Sequence, residues 1–233
     1  MIKAVVLDFD GVIVDSNWLK RESFFALFPQ TGEVASIVGA ILSQKWRQSR
    51  FEILREAIKR LNLASEEEID GLVSVYARRY NDMVQRGIAA MGLIPGVGEC
   101  LAALAQKYLL YLNSGTYEPA LRESIERLNI SRRFLAAYGG PGGKVENLRK
   151  ILAHRSIRAE ETAFVGDGAE DRDAAQECGC RFVGVRNEFN GWGEEDFPVV
   201  GGLGAAIAVI EGFSLKDFGA NGQSQNHRRG LDR

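Results

Sequence analysis

Two aspartates at the end of an apolar run are the residues of this sequence whose types and spacing most clearly permit chemistry. The mostly apolar run Ile2–Leu7 predicts a buried strand, and Asp8 and Asp10 follow it directly, with Gly11 next. If the extended backbone continues between them, both carboxylates project to the same side, and the glycine then permits a sharp turn. Two like charges held together cost stability, and a divalent cation offsets that cost most simply. The pair therefore predicts a metal site with a reaction beside it.

Polar residues also follow three later apolar runs. These groups are Asn113–Thr116, Gly139–Lys144 and Asp167–Asp171. Taken singly, each has an ordinary explanation, because Ser114 can cap a helix, Lys144 can be a solvated lysine and Asp167 can be a helix cap. In an open parallel sheet, however, ligands bind outside the carboxyl ends of the strands. Four such strand endings therefore favour one shared site.

Five short apolar runs predict the strands that position these residues. The runs are Ile2–Leu7, Tyr108–Leu112, Phe134–Tyr138, Thr162–Gly166 and Arg181–Val185. They lack strict alternation, as expected of strands covered on both faces, and amphipathic helical patterns separate the last four. A further apolar stretch, Pro198–Ile210, predicts a last strand and helix. This alternation predicts an α/β fold with a doubly wound parallel, Rossmann-like sheet.

The interval between the first two strands is too long for a single crossover and has a helical pattern throughout. Its predicted helices include one after a Ser65–Glu68 capping box, one around Phe51–Leu61 and a first one capped by Ser16 or Asn17. Their apolar faces need partners, so we expect a small helical bundle, the cap, inserted after the first strand. The predicted division is a core of residues 1–15 and 91–213, a cap of 16–90, and a C-terminal tail, 214–233, that is expected to be disordered.

Composition narrows the class of protein. The 233 residues are 45% hydrophobic and 26% charged, with a formal net charge of −2. These values are ordinary for a soluble domain and give no basic footprint for nucleic acid or for a membrane surface. The chain starts in a predicted strand rather than a signal peptide, and its three cysteines cannot complete a two-pair zinc site. We expect a cytoplasmic monomer or homodimer without a nucleic-acid or membrane partner.

The motifs together resemble those of the haloacid dehalogenase-like hydrolase superfamily. In chain order, the four matching motifs are Asp8-Phe9-Asp10-Gly11-Val12, Ser114, Lys144 and Gly166-Asp167-x-x-x-Asp171. The helical insert is similar to the cap that follows the first motif in phosphoglycolate phosphatases and β-phosphoglucomutases of this superfamily. The first motif is highly specific, whereas the serine and lysine are identified chiefly by position. The resemblance extends over roughly residues 2–190.

The resemblance implies an enzyme that acts on phosphoric monoesters. It implies Asp8 as the nucleophile that becomes an aspartyl phosphate, and Asp10 as the general acid and base. Ser114, with the backbone around Gly115, is implied to hold phosphate oxygens. Lys144 is implied to supply positive charge to the nucleophile and to the phosphate.

The resemblance also implies a Mg²⁺ ion. Its implied ligands are the side chains of Asp8 and Asp167 and the backbone carbonyl of Asp10. Asp171 is implied to bind through a water molecule or to orient the lysine. Without the metal, the carboxylates outnumber the lysine and repel a phosphate dianion. Glu170 can take the role of Asp171, and the sequence does not decide between them.

The cap is expected to select the substrate. Within the basic segment Ser43–Arg50, Arg50 resembles the cap-loop arginine with which sugar-phosphate mutases of the superfamily hold a second phosphate, although such a segment is often merely solvated. Trp46 fits either cap packing or stacking on a substrate. Lys20, in the first predicted cap helix, is a further candidate to face the site.

The expected function is a Mg²⁺-dependent phosphatase for a small phosphomonoester, such as phosphoglycolate or a sugar phosphate. A β-phosphoglucomutase-like phosphomutase is the alternative. Those mutases use a histidine in the first cap helix, and this chain has only His154 and His227, both outside the cap, although Lys20 can occupy an analogous place. A haloacid dehalogenase needs no metal and neither Asp10 nor Asp167, and a non-catalytic binding module needs none of the acids. The full set of acids argues against both.

Overall fold

One parallel sheet forms the centre of the computed structural model, which describes residues 1–45 and 49–213. Its six strands are Ala4–Leu7 (β1), Leu109–Tyr117 (β2), Ala136–Gly140 (β3), Thr162–Gly166 (β4), Arg181–Val185 (β5) and Val199–Val200 (β6). They stand in the order β3-β2-β1-β4-β5-β6, and every neighbouring pair is parallel. The chain therefore winds outward from β1 in both directions, which confirms the predicted doubly wound sheet.

Nine α-helices surround this sheet within the described residues. They are Asn17–Ala26 (α1), Gly32–Lys45 (α2), Arg50–Arg60 (α3), Ile69–Met91 (α4), Val97–Lys107 (α5), Glu118–Arg127 (α6), Gly143–His154 (α7), Ala169–Cys178 (α8) and Leu203–Gly212 (α9). Helices α1 to α4 all lie between β1 and β2 in the chain and contact one another. They form the predicted helical cap.

Alternate side chains of the strands pack into two apolar clusters, one on each face of the sheet. Val5 and Leu7 of β1 belong to the cluster that includes residues of α5, α6 and α9. Ala4 and Val6 belong to the cluster that includes residues of α7 and α8. Successive side chains of a strand point to opposite faces, so a strand covered on both faces must be apolar throughout. This explains the continuous apolar run before Asp8.

The cap packs on the core through the first of these clusters, which continues into α1, α2 and α3 through residues such as Phe24, Ile41 and Ile58.

Helix α3 starts with a capping box that the sequence analysis missed. The Ser49 hydroxyl accepts a hydrogen bond from the Glu52 N–H at 3.3 Å, and the Glu52 carboxylate accepts one from the Ser49 N–H at 2.9 Å. The boundaries proposed between core and cap remain a prediction.

Two strands extend further than the apolar runs indicate. Strand β2 continues to Tyr117 rather than ending at Leu112, and β3 continues to Gly140. The two strands still pair beyond the apolar part, with Asn113 opposite Tyr138 and Tyr117 opposite Gly140, across a shift in register. Backbone pairing does not require an apolar side chain, so periodicity marks only the buried part of each strand. The group at 113–116 therefore lies inside β2, not in a loop after it.

Three predictions remain, which concern the last strand and helix, Trp46 and the C-terminal tail. The last strand and helix predicted within Pro198–Ile210 are present as β6 and α9. Trp46 and the predicted tail, 214–233, lie outside the described residues. Across the two described ranges, none of the helices combines the length and apolar character that crossing a membrane requires.

Candidate active site

The carboxyl end of the sheet opens into a cavity of about 890 Å³ that the cap covers. Side chains from four strand ends and from the cap line it, among them Asp8, Asp10, Thr116, Lys144, Asp167 and Arg50. The groups that the sequence analysis assigned to separate strand endings thus meet at one place.

Three carboxylates lie together at the floor of the cavity. Asp8, Asp167 and Asp171 each offer one oxygen, and these oxygens lie within 4.8 Å of one another. The Lys144 ammonium lies 2.8 Å from the Asp8 carboxylate and 2.5 Å from the Asp171 carboxylate. Glu170 is exposed, whereas the Asp171 side chain is buried and belongs to the cluster. The structure therefore brings Asp171, and not Glu170, to the lysine.

Crowding and burial perturb the ionisation of these groups. Burial raises the pKa of Asp8, against the opposing effect of Lys144, and burial also raises the pKa of Asp171 well above its ordinary value. Burial, followed by the charge of Asp8, raises the pKa of Asp167 to about 7. For Lys144, burial acts to lower the pKa, but the charges of Asp171 and Asp8 outweigh it and raise the pKa. One ammonium thus faces three carboxylates, an imbalance that a cation can relieve.

Two glycines permit the carboxylates to come this close. Gly11 has a φ of +76°, and a Cβ on it would lie 2.0 Å from Oδ2 of Asp167. A Cβ on Gly166 would lie 2.3 Å from Cγ of Asp171. Real Cβ atoms do not make such contacts, so a larger residue at either position would push an acid out of the cluster. The glycine of the first motif is therefore a packing requirement as well as a turn residue.

Asp10 is held apart from this cluster by its own set of donors. The Lys20 ammonium of α1 lies 2.5 Å from its carboxylate, and the Thr116 hydroxyl donates to it at 2.8 Å. The Ser16 hydroxyl also donates to it, and Ser114 Oγ lies 3.4 Å away. Burial alone would raise the pKa of Asp10, but the ammonium and the hydroxyl donors together lower it below its ordinary value. The contact with Lys20 of the cap therefore favours the ionised form of Asp10.

The predicted phosphate-binding residues lie in the second half of β2. Ser114 is 1% exposed, and its hydroxyl accepts a hydrogen bond from the Thr116 N–H at 3.1 Å. Gly115, Thr116 and Tyr117 line the cavity directly. The sequence analysis quoted Thr116 without assigning it a role. Its contact with both Asp10 and Lys20, the latter at 2.7 Å, makes it part of the site.

The cap side of the cavity contains Arg50, the first residue of α3. Its guanidinium lies over the rings of Tyr80 and Tyr117, 5.3 Å and 5.9 Å from their centroids. Its hydrogen bond goes to the side-chain oxygen of Asn81 at 3.3 Å. Burial lowers the pKa of Arg50, and the ion pairs found among the described residues include none to its side chain. A cation held between rings in this way is available to an anionic ligand.

Three asparagines around Asp167 were not identified from the sequence. Asn17 of α1 and Asn187 both donate to its carboxylate, and Asn190 donates to its backbone carbonyl. No periodicity or motif marks them, because Asn17 lies 150 positions from Asp167 in the chain.

The chain belongs to the haloacid dehalogenase-like hydrolase family. The model of that family matches residues 5–185, which span the four strand ends and the cap. The resemblance predicted from the four motifs is thereby confirmed.

Among curated relatives, the phosphoglycolate phosphatase of Shigella boydii is 29% identical over 214 residues, covering 81% of this chain and 83% of its own. A Bacillus subtilis protein described as a HAD-hydrolase, solved with bound magnesium, has a TM-score of 0.70 at 15% identity and covers 90% of this chain and 98% of its own. The β-phosphoglucomutase of Clostridium difficile has a TM-score of 0.67 at 20% identity and covers 91% and 96%. The structural likenesses confirm the predicted fold.

Proposed function

We propose that this protein is a Mg²⁺-dependent phosphatase that hydrolyses a small phosphomonoester through an aspartyl phosphate on Asp8. The observation that carries the proposal is the pairing of Asp8 with Lys144 at the floor of a cavity, beside Asp167 and apart from Asp10. The arrangement supplies a nucleophile, a positive charge, a metal site and a separate acid and base. The 29% identity to a phosphoglycolate phosphatase supports the same class of reaction.

Asp8 is suited to attack because its carboxylate is oriented from both sides. One oxygen accepts a hydrogen bond from the Phe9 N–H at 2.7 Å, and the other lies 2.8 Å from the Lys144 ammonium. In the first step an Asp8 oxygen bonds to phosphorus as the ester P–O bond breaks. In the second step water bonds to phosphorus, the Asp8–phosphorus bond breaks, and inorganic phosphate leaves.

Asp10 would move the proton in both steps. The departing alkoxide takes a proton from Asp10, and the attacking water later returns one. Because Asp10 is ionised beside Lys20, it is ready for the second role. The first role falls to the protonated form of the Asp10 carboxyl. The Lys20 ammonium, 2.5 Å from Asp10, lowers the pKa of Asp10 and so stabilises the ionised form that takes the proton from water. We assign Lys20 to that role.

The acidic cluster fits a hard, oxygen-preferring cation. Its donors are all carboxylate oxygens. Burial raises the pKa values of Asp8 and Asp167, and the charge of a neighbouring carboxylate adds to this effect, that of Asp10 for Asp8 and that of Asp8 for Asp167. Mg²⁺ is bound in this way, by few carboxylates and several waters. Asp8 and Asp167 would hold the ion, with the Asp10 carbonyl, and Asp171 would orient Lys144. When bound, Mg²⁺ offsets negative charge on the phosphate oxygens.

The substrate proposed for the cavity is a small phosphomonoester with a second anionic group, of the phosphoglycolate or sugar-phosphate kind. Arg50 supports this choice because its guanidinium lines the cavity that holds Asp8. Ser114 and Gly115 are assigned to the phosphate, through the backbone of β2.

A β-phosphoglucomutase-like activity is the second candidate. The contact between Lys20 and Asp10 favours it, because it places a cap cation on the acid and base, as the sequence analysis considered for a mutase.

One assay separates the two candidates. Purified protein is incubated with a panel of phosphomonoesters, including phosphoglycolate and a sugar 1-phosphate, with Mg²⁺ or with EDTA. The proposal predicts Mg²⁺-dependent release of inorganic phosphate. Conversion of the sugar 1-phosphate into an isomeric sugar phosphate, without free phosphate, would establish the mutase instead. Turnover that persists in EDTA would contradict both.

A further inference from the structure

The carboxylate of Asp167 is held by two amide groups that come from different parts of the molecule. The Asn187 side-chain NH₂ donates to Oδ2 at 2.6 Å, and the Asn17 side-chain NH₂ donates to the same oxygen at 3.0 Å. Asn187 belongs to the core loop after β5, whereas Asn17 is the first residue of the cap helix α1. We call these two side chains the amide clamp.

The core half of the clamp is rigidly built. The Asn187 side-chain oxygen accepts hydrogen bonds from the N–H groups of Phe189 and Asn190, at 2.8 Å and 3.1 Å. The Asn190 side chain in turn donates to the backbone carbonyls of Asp167 and Val185, at 3.0 Å and 2.7 Å. The loop therefore presents the Asn187 amide to Asp167 through hydrogen bonds made within the core.

The cap half depends on how α1 is docked. Asn17 and Lys20 are three residues apart and so lie on the same face of the helix. From that face Asn17 reaches Asp167 and Lys20 reaches Asp10. At the rim beside them, the Trp18 ring lies 5.0 Å from the Phe189 ring, centroid to centroid, and the Trp18 N–H donates to Glu188. One short helix segment thus contacts both acids and the loop that carries Asn187.

We infer that Asn17 is a positioning residue that couples docking of the cap to metal binding, by completing the clamp on Asp167. The inference rests on the proposed Mg²⁺ site. An amide donor suits this task because it stabilises a carboxylate without cancelling the charge that attracts the cation. With Oδ2 occupied by two donors and packed on Gly11, the carboxylate has one orientation in which to meet the ion.

Reciprocity follows from this coupling. If the docked cap raises the affinity for Mg²⁺, Mg²⁺ must favour the docked cap by the same factor. Asn187 acts differently, because it and Asp167 both belong to the core and their hydrogen bond does not cross to the cap. Both amides therefore orient Asp167, but only the Asn17 amide links that orientation to docking of the cap.

The test is calorimetric titration of the full chain with MgCl₂ alone, without substrate, for wild type, Asn17→Ala, Asn187→Ala and the control Glu22→Ala. Glu22 is an exposed residue of the same helix. Loss of a group that orients a metal ligand weakens metal affinity about 10- to 100-fold, and we expect at least a tenfold loss for both asparagine variants. Glu22→Ala should bind Mg²⁺ within about twofold of wild type. Unchanged affinity in Asn17→Ala would overturn the inference, as would a wild-type chain that takes up no Mg²⁺.

Hydrogen exchange of α1, with and without saturating Mg²⁺, separates coupling from simple orientation. Mg²⁺ should slow exchange of α1 in wild type and in Asn187→Ala, and should leave it unchanged in Asn17→Ala. Protection by Mg²⁺ that is equal in all three would overturn the coupling. These readouts do not use turnover, so absence of phosphate release by a wild type that binds Mg²⁺ would count against the proposed function alone.

Discussion

Replacing Lys144 by methionine removes the ammonium that contacts Asp8 and Asp171 in the acidic cluster. The Lys144 side chain is 8% exposed and contacts two carboxylates, of which Asp171 is fully buried. Removing one partner of a buried ion pair costs about 3–5 kcal/mol, because the remaining charge is left desolvated and unpaired. At about 2–4 °C per kcal/mol for a chain of this size, we expect the melting temperature to fall by about 6–20 °C.

The loss should depend on pH. Burial already raises the folded-state pKa values of Asp8 and Asp171 above those of the unfolded chain. Ionising such groups in the folded state therefore costs stability as the pH rises above their ordinary values. Without the lysine both pKa values rise further, so the variant should lose more stability at pH 8 than at pH 5, where the buried acids can stay protonated.

The assay is thermal unfolding of Lys144→Met and of a matched control, Lys150→Met, at both pH values with and without MgCl₂. Lys150 lies on the same helix, but its side chain is 50% exposed and its ion pair with Glu146 is long, at 3.8 Å. Its loss should therefore cost less than about 1 kcal/mol. Mg²⁺ should raise the melting temperature of Lys144→Met more than that of wild type, because it supplies the missing positive charge. A fall of less than about 2 °C, or a loss independent of pH and of Mg²⁺, would refute the reasoning.

Three further outcomes are expected of the residues around the phosphate. Asp10→Asn should slow hydrolysis of an alkyl phosphate by about 10²- to 10⁴-fold in steady-state assays while calorimetry shows retained Mg²⁺ binding; an unchanged rate removes Asp10 from the acid role. Lys20→Met should raise the pKa of Asp10, so that the pH below which the aspartyl phosphate no longer breaks down moves upward by about 1–3 units in single-turnover assays. If that pH is the same in Lys20→Met as in wild type, the prediction is wrong. Arg50→Ala should raise KM about tenfold or more for substrates with a second anion and little for p-nitrophenyl phosphate, and equal effects on both would indicate a role in cap folding.

Sequence patterns located the acids because their signal is local. A buried strand must be apolar throughout, so Asp8 and Asp167 are conspicuous where β1 and β4 end, and the known direction of parallel strands brings such endings together. The same reasoning placed Lys144 at the start of a helix and predicted that it faces the acids. In each case the residue and the element that positions it are adjacent in the chain.

The residues that were missed act over long chain separations or without a side-chain pattern. Asn17 and Asn187 become neighbours only when cap and core are assembled around Asp167. Strand β2 extends past Ser114 and Gly115 because its backbone pairs with β3 on either side of them, at Asn113 and Tyr117, which apolar periodicity cannot indicate. The capping box of Ser49 and Glu52, by contrast, could have been predicted, because a serine is followed three residues later by a glutamate. The sequence analysis assigned a capping box only to Ser65 and Glu68.

The nucleophilic role of Asp8 is tested most directly by trapping the covalent intermediate. The protein is mixed with a ³²P-labelled phosphomonoester and Mg²⁺, quenched in acid within a single turnover, and digested for peptide mapping. The account predicts label on the peptide that contains Asp8, lost on treatment with hydroxylamine and absent from Asp8→Asn. Turnover in wild type with no labelled peptide, or label that persists in Asp8→Asn, would contradict it.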